Sequence, residues 1–280
     1  MSGTVFAALL FAAFLSATWN AIVKGGSNKY LHAVLVANSA AIIAAVLLPF
    51  LKQPAREAWV YIAASSVLQV FYYVLLAAVF RAGDMSHAYP MMRGGAPLLV
   101  SLASGPLIGE ALSVGKWIGV IMICIGVLSL AWEARFRTSA HRGVVRYALL
   151  NAAVIAGYTV VDGIGVRFSG ASTGYLMWNL VLTALILSIW TLLTRRGELF
   201  SYAVGRVRSA LIGGLATTVA YGIILWAMTQ APIAAVAALR ETSMIFVLAI
   251  AVIIFKERAG LRRYGATALI ACGAAAIRLW

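Results

Sequence analysis

Apolar residues run along this chain in long blocks separated by short polar connections, with no strict alternation inside the blocks. A helix rises 1.5 Å per residue, so about 20 mostly apolar residues cross the ~30 Å hydrocarbon layer of a bilayer. Blocks of that length lie near residues 4–23, 31–51, 58–80, 85–108, 114–132, 144–166, 173–193, 209–229, 232–255 and 261–279, which predicts about ten spans. Lipid offers no partner to an open backbone group, so the spans should be helices, and the missing alternation argues against barrel strands.

The longest connection, 133–143, carries Arg135, Arg137, His141 and Arg142. It divides the chain into 1–138 and 139–280, each with five predicted spans. The halves echo each other. Arg93 and Arg240 are 147 positions apart, as are Glu110 and Glu257, while Leu9-Leu10 and Ala12-Ala13 recur 140 positions later as Leu149-Leu150 and Ala152-Ala153. Five is odd, so the second copy enters the membrane from the opposite face. The expected fold is therefore an all-α polytopic membrane protein, with ten transmembrane helices as two inverted five-helix repeats around a central cavity. Inverted repeats commonly hold a substrate near the bilayer midplane.

Composition agrees with a membrane. Of 280 residues, 63% are hydrophobic and 11% charged, with a mean hydropathy of +0.97, whereas soluble domains are about one quarter charged. The net charge of +14 comes mostly from connections, where orientation in the bilayer accounts for it. No basic patch is interleaved with exposed aromatics, so nucleic acid is not an expected partner. Arg135, Arg137, Arg142, Arg146, Arg195, Arg196, Arg206, Arg208, Lys256, Arg258, Arg262 and Arg263 follow the fifth, seventh and ninth blocks. The positive-inside rule then puts both termini outside a plasma (inner) membrane. The first half is nearly balanced: Lys24, Lys29 and Arg81 on one side, Lys52, Arg56 and Lys116 on the other. No basic residue precedes the first block, which reads as a mature span rather than a secretory signal. Cys124 and Cys272 lie inside apolar blocks and read as packing residues. His32, His87 and His141 are scattered, and no P-loop, GxGxxG, metal cluster or nucleophile motif occurs. No catalytic residue, metal or cofactor is expected, and an ATP-driven pump is disfavoured.

The chemistry concentrates in Tyr89-Pro90-Met91-Met92-Arg93-Gly94-Gly95-Ala96-Pro97. A charge near the middle of a span costs about 2.5–3.5 kcal/mol on insertion scales and usually faces a cavity. Arg93 falls roughly 5 Å from the midplane by helical rise, and inversion puts Arg240 a similar distance beyond it. Guanidinium groups recognise carboxylate or phosphate with two parallel bonds. Asp162 and Glu241 are the acids well inside spans. They are candidates for an ammonium group or a proton, or serve as counter-ions for Arg240. Asp84 sits at a span edge, and Glu110 and Glu257 close spans in structural roles. Pro90, Pro97 and Pro106, with Gly94, Gly95 and Gly105, predict a bent helix beside the site.

Rings and polar groups at mid-depth complete the expected substrate-binding set: Trp19, Asn20, Gln69, Tyr73, Tyr89, Tyr158, Tyr221 and Trp226 beside Arg93, Asp162, Arg240 and Glu241. Asn38 and Tyr72 lie at similar depth. Tyr89 and Arg93, Tyr158 and Asp162, and Gln69 and Tyr73 are each four apart and share a helix face. Gly115, Gly119 and Gly265 allow close helix packing; a homodimer seam there stays open.

Ala17-Thr18-Trp19-Asn20-Ala21-Ile22-Val23-Lys24, Arg93-Gly94-Gly95-Ala96-Pro97 with Gly109-Glu110, and Phe255-Lys256-Glu257 as the second-half counterpart of Gly109-Glu110 resemble the EamA branch of the drug/metabolite transporter superfamily over the whole chain. The resemblance implies a ten-helix basket whose cavity is lined by spans 1, 3, 4, 6, 8 and 9. It implies export or exchange of small metabolites or drugs, and cytoplasmic termini, against the charge count. Glu241 departs from the repeat, since Gly94 occupies its place in the first half. The expected function is a secondary transporter, exporter or exchanger, of small metabolites bearing a carboxylate or phosphonate, such as amino acids. Arg93 would anchor the anion, and Arg93→Ala should lose transport while remaining folded. The alternatives are a proton-coupled exporter of cationic drugs using Asp162 or Glu241, and a membrane-embedded enzyme or scaffold.

Overall fold

The computed structural model describes residues 1–82, 85–135, 142–253, 256 and 260–280. Asp84, Arg137, His141, Phe255, Glu257 and Arg258 lie outside the described residues. The helices are α1 Gly3–Lys24, α2 Lys29–Leu47, α3 Trp59–Ala82, α4 Met85–Ile108, α5 Val114–Arg135, α6 Arg142–Ser169, α7 Ser172–Ala203, α8 Val207–Met228, α9 Ile233–Arg240, α10 Ser243–Ile253 and α11 Leu261–Leu279. No strand occurs among the described residues.

Local chemistry explains several ends. Ser2 accepts a bond from the Val5 N–H and Asn28 from the Leu31 N–H, which satisfies orphan donors at the starts of α1 and α2. α7 leaves helical geometry at Arg195 (φ −145°, ψ 43°), just before Gly197. α4 keeps Pro90, Pro97 and Pro106 inside one helix.

The ninth predicted span is not one helix. It breaks at Glu241-Thr242, between α9 and α10, with neither proline nor glycine at the break. The turn closes with short-range bonds, Thr242 N–H to Leu239 O at 3.1 Å and Ile245 N–H to Thr242 O at 2.9 Å. The Thr242 hydroxyl also donates to Leu239 O at 2.7 Å. A hydroxyl that competes for a helix carbonyl is a known source of bending.

Among the described residues seven segments are long and apolar enough to cross a membrane: Gly3–Lys24, Lys29–Phe50, Arg56–Val79, Gly143–Ser169, Ser172–Arg195, Val207–Met228 and Ile233–Ile253. Val114–Leu130 is a shorter apolar helix. α4 and α11 fall outside that set; α4 carries Arg93 and three prolines, and α11 carries Arg262, Arg263 and Arg278.

The packing partners follow a pattern. α3 packs on α6 and α1 on α8; α4 packs on α6, while α9 and α10 pack on α1; α2 pairs with α7 and α5 with α11. Exchanging the first five helices for the second set carries each of these pairings onto another or onto itself.

α5 and α11 meet across a glycine seam. A Cβ on Gly119 would lie 2.7 Å from Gly273 O, and a Cβ on Gly273 would lie 2.7 Å from Gly119 O. A Cβ on Gly115 would strike the Trp280 side chain at 2.2 Å. Gly115 and Gly119 are thus filled within the chain, while Gly265 meets open space. Gly273→Val should cost roughly 1–3 kcal/mol or more by overpacking, lowering the melting temperature in detergent. Gly265→Val should leave it nearly unchanged, and equal effects would contradict the seam.

One end of the bundle is filled. There Trp280 meets α5 at Gly115, and the loop before α3 meets the start of α7. All residues from Ile233 to Leu239 are buried, as are Tyr175, Leu176, Ile224, Leu225 and Met228. We refer to it as the termini end.

Candidate functional site

Short stretches of eight helices surround a cavity between the filled core and the opposite end, with Ala37 and Ala40 contributed by α2. α1 supplies Ser16, Trp19 and Asn20; α3 supplies Gln69, Tyr72 and Tyr73; α8 supplies Thr217, Ala220, Tyr221 and Ile224. Each set repeats at three and four residues, the spacing of one helix face. Arg93 on α4, Tyr158 on α6, Thr183 on α7 and Arg240 on α9 complete the polar lining. Counted as room for the centres of water-sized molecules, the cavity measures about 90 Å³. One water needs about 10–15 Å³ on that measure, so several waters or one small solute fit.

Eight of the twelve expected residues line this cavity: Trp19, Asn20, Gln69, Tyr73, Arg93, Tyr158, Tyr221 and Arg240. Four do not. Trp226 is 37% exposed on the outer surface of α8. It lies five positions after Tyr221, which turns it to the far side of a 3.6-residue helix. Tyr89 is partly buried against two core clusters and is not among the lining side chains. Asp162 and Glu241 are buried behind the wall, each bound to other groups.

Asp162 sits at the centre of a network from α3, α6, α7 and α8. It accepts from the Tyr175 hydroxyl at 2.9 Å, from Asn179 Nδ2 at 3.4 Å, from Gln69 Nε2 at 3.4 Å and from the Tyr221 hydroxyl. Gln69 Nε2 also donates to Asn179 Oδ1 at 2.8 Å and to Ser65 Oγ at 3.1 Å. Buried polar groups require such partners. Asp162 therefore fixes Tyr221 and Gln69 in the cavity wall and leaves no open side for an ammonium group.

Glu241 pairs with Arg93, not with Arg240. Arg93 Nε lies 3.0 Å from Glu241 Oε2, and Arg93 Nη2 lies 3.5 Å from Ser243 Oγ. The break between α9 and α10 makes this possible, because Arg240 and Glu241 leave it toward different partners. The ion pair is close but poorly directed, and neither Arg93 Nε nor Glu241 Oε2 completes a hydrogen bond. Arg240 has no carboxylate within 4.0 Å among the described residues; its Cζ lies 5.8 Å from the Tyr221 ring centre, a cation–π contact. The counter-ion role expected toward Arg240 thus belongs to Arg93, and Arg240 is the guanidinium with spare charge beside the cavity.

Thr183 and Thr217 were not singled out in the sequence. Their hydroxyls are buried and without partner, unlike those of Thr191 and Thr218, which bond to the preceding helical turn. Among the described residues five buried side-chain atoms lack a hydrogen bond, and four belong to Arg93, Glu241, Thr183 and Thr217. Three of those four residues line the cavity. Unsatisfied polar atoms are uncommon in native interiors; Arg93 Nε and Glu241 Oε2 face each other, and the Thr183 and Thr217 hydroxyls stand at the cavity. Hydroxyl residues are common in helical spans, which left these two without a signal; the stripe 217, 220, 221, 224 was the pattern that could have revealed Thr217.

No curated protein matches the chain. A solved structure, described only as a crystal structure of a protein, superposes with a TM-score of 0.80 over 100% of this chain and 98% of its own, at 18% identity. That likeness concerns the fold alone. The profile of the EamA-like transporter family matches residues 3–132 and 143–279. The chain belongs to the EamA-like transporter family, within the drug/metabolite transporter superfamily.

Proposed function

We propose that this chain is a secondary transporter of small metabolites that carry a carboxylate or phosphonate, such as amino acids, working by alternating access. The observation that carries this reading is the convergence of Arg240, Arg93 and two unpartnered threonine hydroxyls on a cavity walled by Trp19, Tyr72, Tyr73, Tyr158 and Tyr221. Arg240 binds the anionic group, and the Nη end of Arg93 adds donors while its Nε stays with Glu241. The rings enclose the remainder, as is typical of small-molecule sites.

The two halves, 1–138 and 139–280, are inverted five-helix repeats that rock against each other. The exchange symmetry of the packing pairs supports this division, as do the matching positions of Arg93 and Arg240. α9 and α10 act as one broken span, so ten crossings result. The membrane is the plasma membrane, with the cationic connections in the cytoplasm.

Export of cationic drugs fits less well. Two guanidinium groups border the cavity, and both interior carboxylates are engaged, Asp162 by four donors and Glu241 by Arg93. Proteoliposomes loaded with the purified chain should show saturable exchange of labelled amino acids or aminophosphonates. Exchange of organic cations with no movement of any anion-bearing solute would overturn the proposal.

A further inference from the structure

We propose that Glu110 and Arg167 form the latch that keeps the termini end of the bundle shut in this conformation, and that its release exposes the cavity to that face. The proposal rests on the transporter reading above, since only an alternating-access protein must open there.

Glu110 follows α4, and Arg167 lies in the last turn of α6. Arg167 Nη2 is 2.6 Å from Glu110 Oε1, and Glu110 Oε2 accepts the Ile233 N–H at 2.8 Å. Arg167 Nε donates to Met228 O at 2.8 Å and Nη2 to Ala231 O at 3.0 Å. Two side chains thus join the end of α4, in the first half, to α6 and to the turn between α8 and α9, in the second half. Across the same end, Trp178 Nε1 donates to Gln53 Oε1 at 2.7 Å.

The location matters because of what α9 carries. Ile233 is its first residue, and Arg240 and Glu241 stand at its other end. The helix has eight residues, about 12 Å at 1.5 Å per residue. A continuous hydrogen-bonded helix is stiff along its axis, so a shift at Ile233 would be carried to the two charges at its other end.

Exposure separates this pair from Arg93–Glu241, the other inter-half ion pair among the described residues. The Arg167 and Glu110 side chains are 32% and 15% exposed, against 10% and 3% for Arg93 and Glu241. Water reaches a partly exposed pair more readily when it parts, so opening costs less there than at a buried pair. The Glu110–Arg167 contact suits a joint that opens each cycle, and the Arg93–Glu241 contact does not.

The test places a thiol on the cavity wall, Thr217→Cys with Cys124→Ser and Cys272→Ser, and measures labelling by a membrane-impermeant maleimide. Right-side-out and inverted vesicles present opposite faces, and cleavage of a C-terminal tag identifies the termini face. With the latch intact, labelling should come almost wholly from the face opposite the termini. Arg167→Gln, which leaves Glu110 on the Ile233 N–H, should raise labelling from the termini face at least tenfold. Arg167→Lys keeps the charge but not the fork to two carbonyls, and should fall between. A termini-face rate unchanged in both variants, or a parent labelled mainly from that face, would overturn the latch. No substrate enters the assay, so an error in the proposed substrate class would not alter it.

Discussion

Glu241→Gln is expected to lower the stability of the purified protein by about 3–5 kcal/mol, the usual consequence of removing one partner from a buried ion pair. Arg93 is then left charged in a site 10% exposed, with one long contact to Ser243. Replacing both partners, Arg93→Met with Glu241→Met, should recover most of the loss, because the uncompensated charge goes too. Thermal unfolding in detergent of the parent, Arg93→Met, Glu241→Met and the double variant measures the coupling. Additive losses would mean that the two side chains do not interact. The same argument corrects the expectation for Arg93→Ala. That variant strands the Glu241 carboxylate, so it should lose fold along with transport.

Arg240→Gln is expected to keep the fold and lose the substrate. Arg240 gives up its contact with the Tyr221 ring, a type of interaction worth ~0.5–2 kcal/mol, and has no carboxylate within 4.0 Å to strand among the described residues. A desolvated charge pair with the substrate is worth about 2–5 kcal/mol, which corresponds to a loss of about 30-fold to several thousand-fold in apparent affinity. Arg240→Lys should fall between, since it keeps the charge without the planar fork. Exchange kinetics in proteoliposomes, set beside a melting curve, separate the two effects. An unchanged KM and kcat in Arg240→Gln would remove Arg240 from the site.

The cost of a charge in lipid made both arginines legible in the sequence, and the repeat spacing made them a pair. What the sequence could not supply was the partner of each. Glu241 adjoins Arg240 in the chain, and adjacency suggested a local counter-ion. The break at Glu241-Thr242 undoes that proximity, and neither proline nor glycine marks it in the sequence. Asp162 looked available because its partners, Gln69, Tyr175, Asn179 and Tyr221, lie on three other helices. Composition could not separate Tyr221 from Trp226, two aromatic residues at similar depth, although helical phase could. The long helices were read closely, since block length is set by the hydrocarbon thickness. The structural role read for Glu110 has a partner, Arg167, that sequence spacing did not indicate.

The most direct measurement is an equilibrium titration of purified protein with amino acids, an aminophosphonate and the matched amino acid amides. An amide keeps the size and the ammonium group but lacks the anion that Arg240 would hold. The anion-bearing ligands should bind and the amides should not, with the difference abolished in Arg240→Gln. Amides that bind as tightly as their parent acids would contradict an anion site in this cavity.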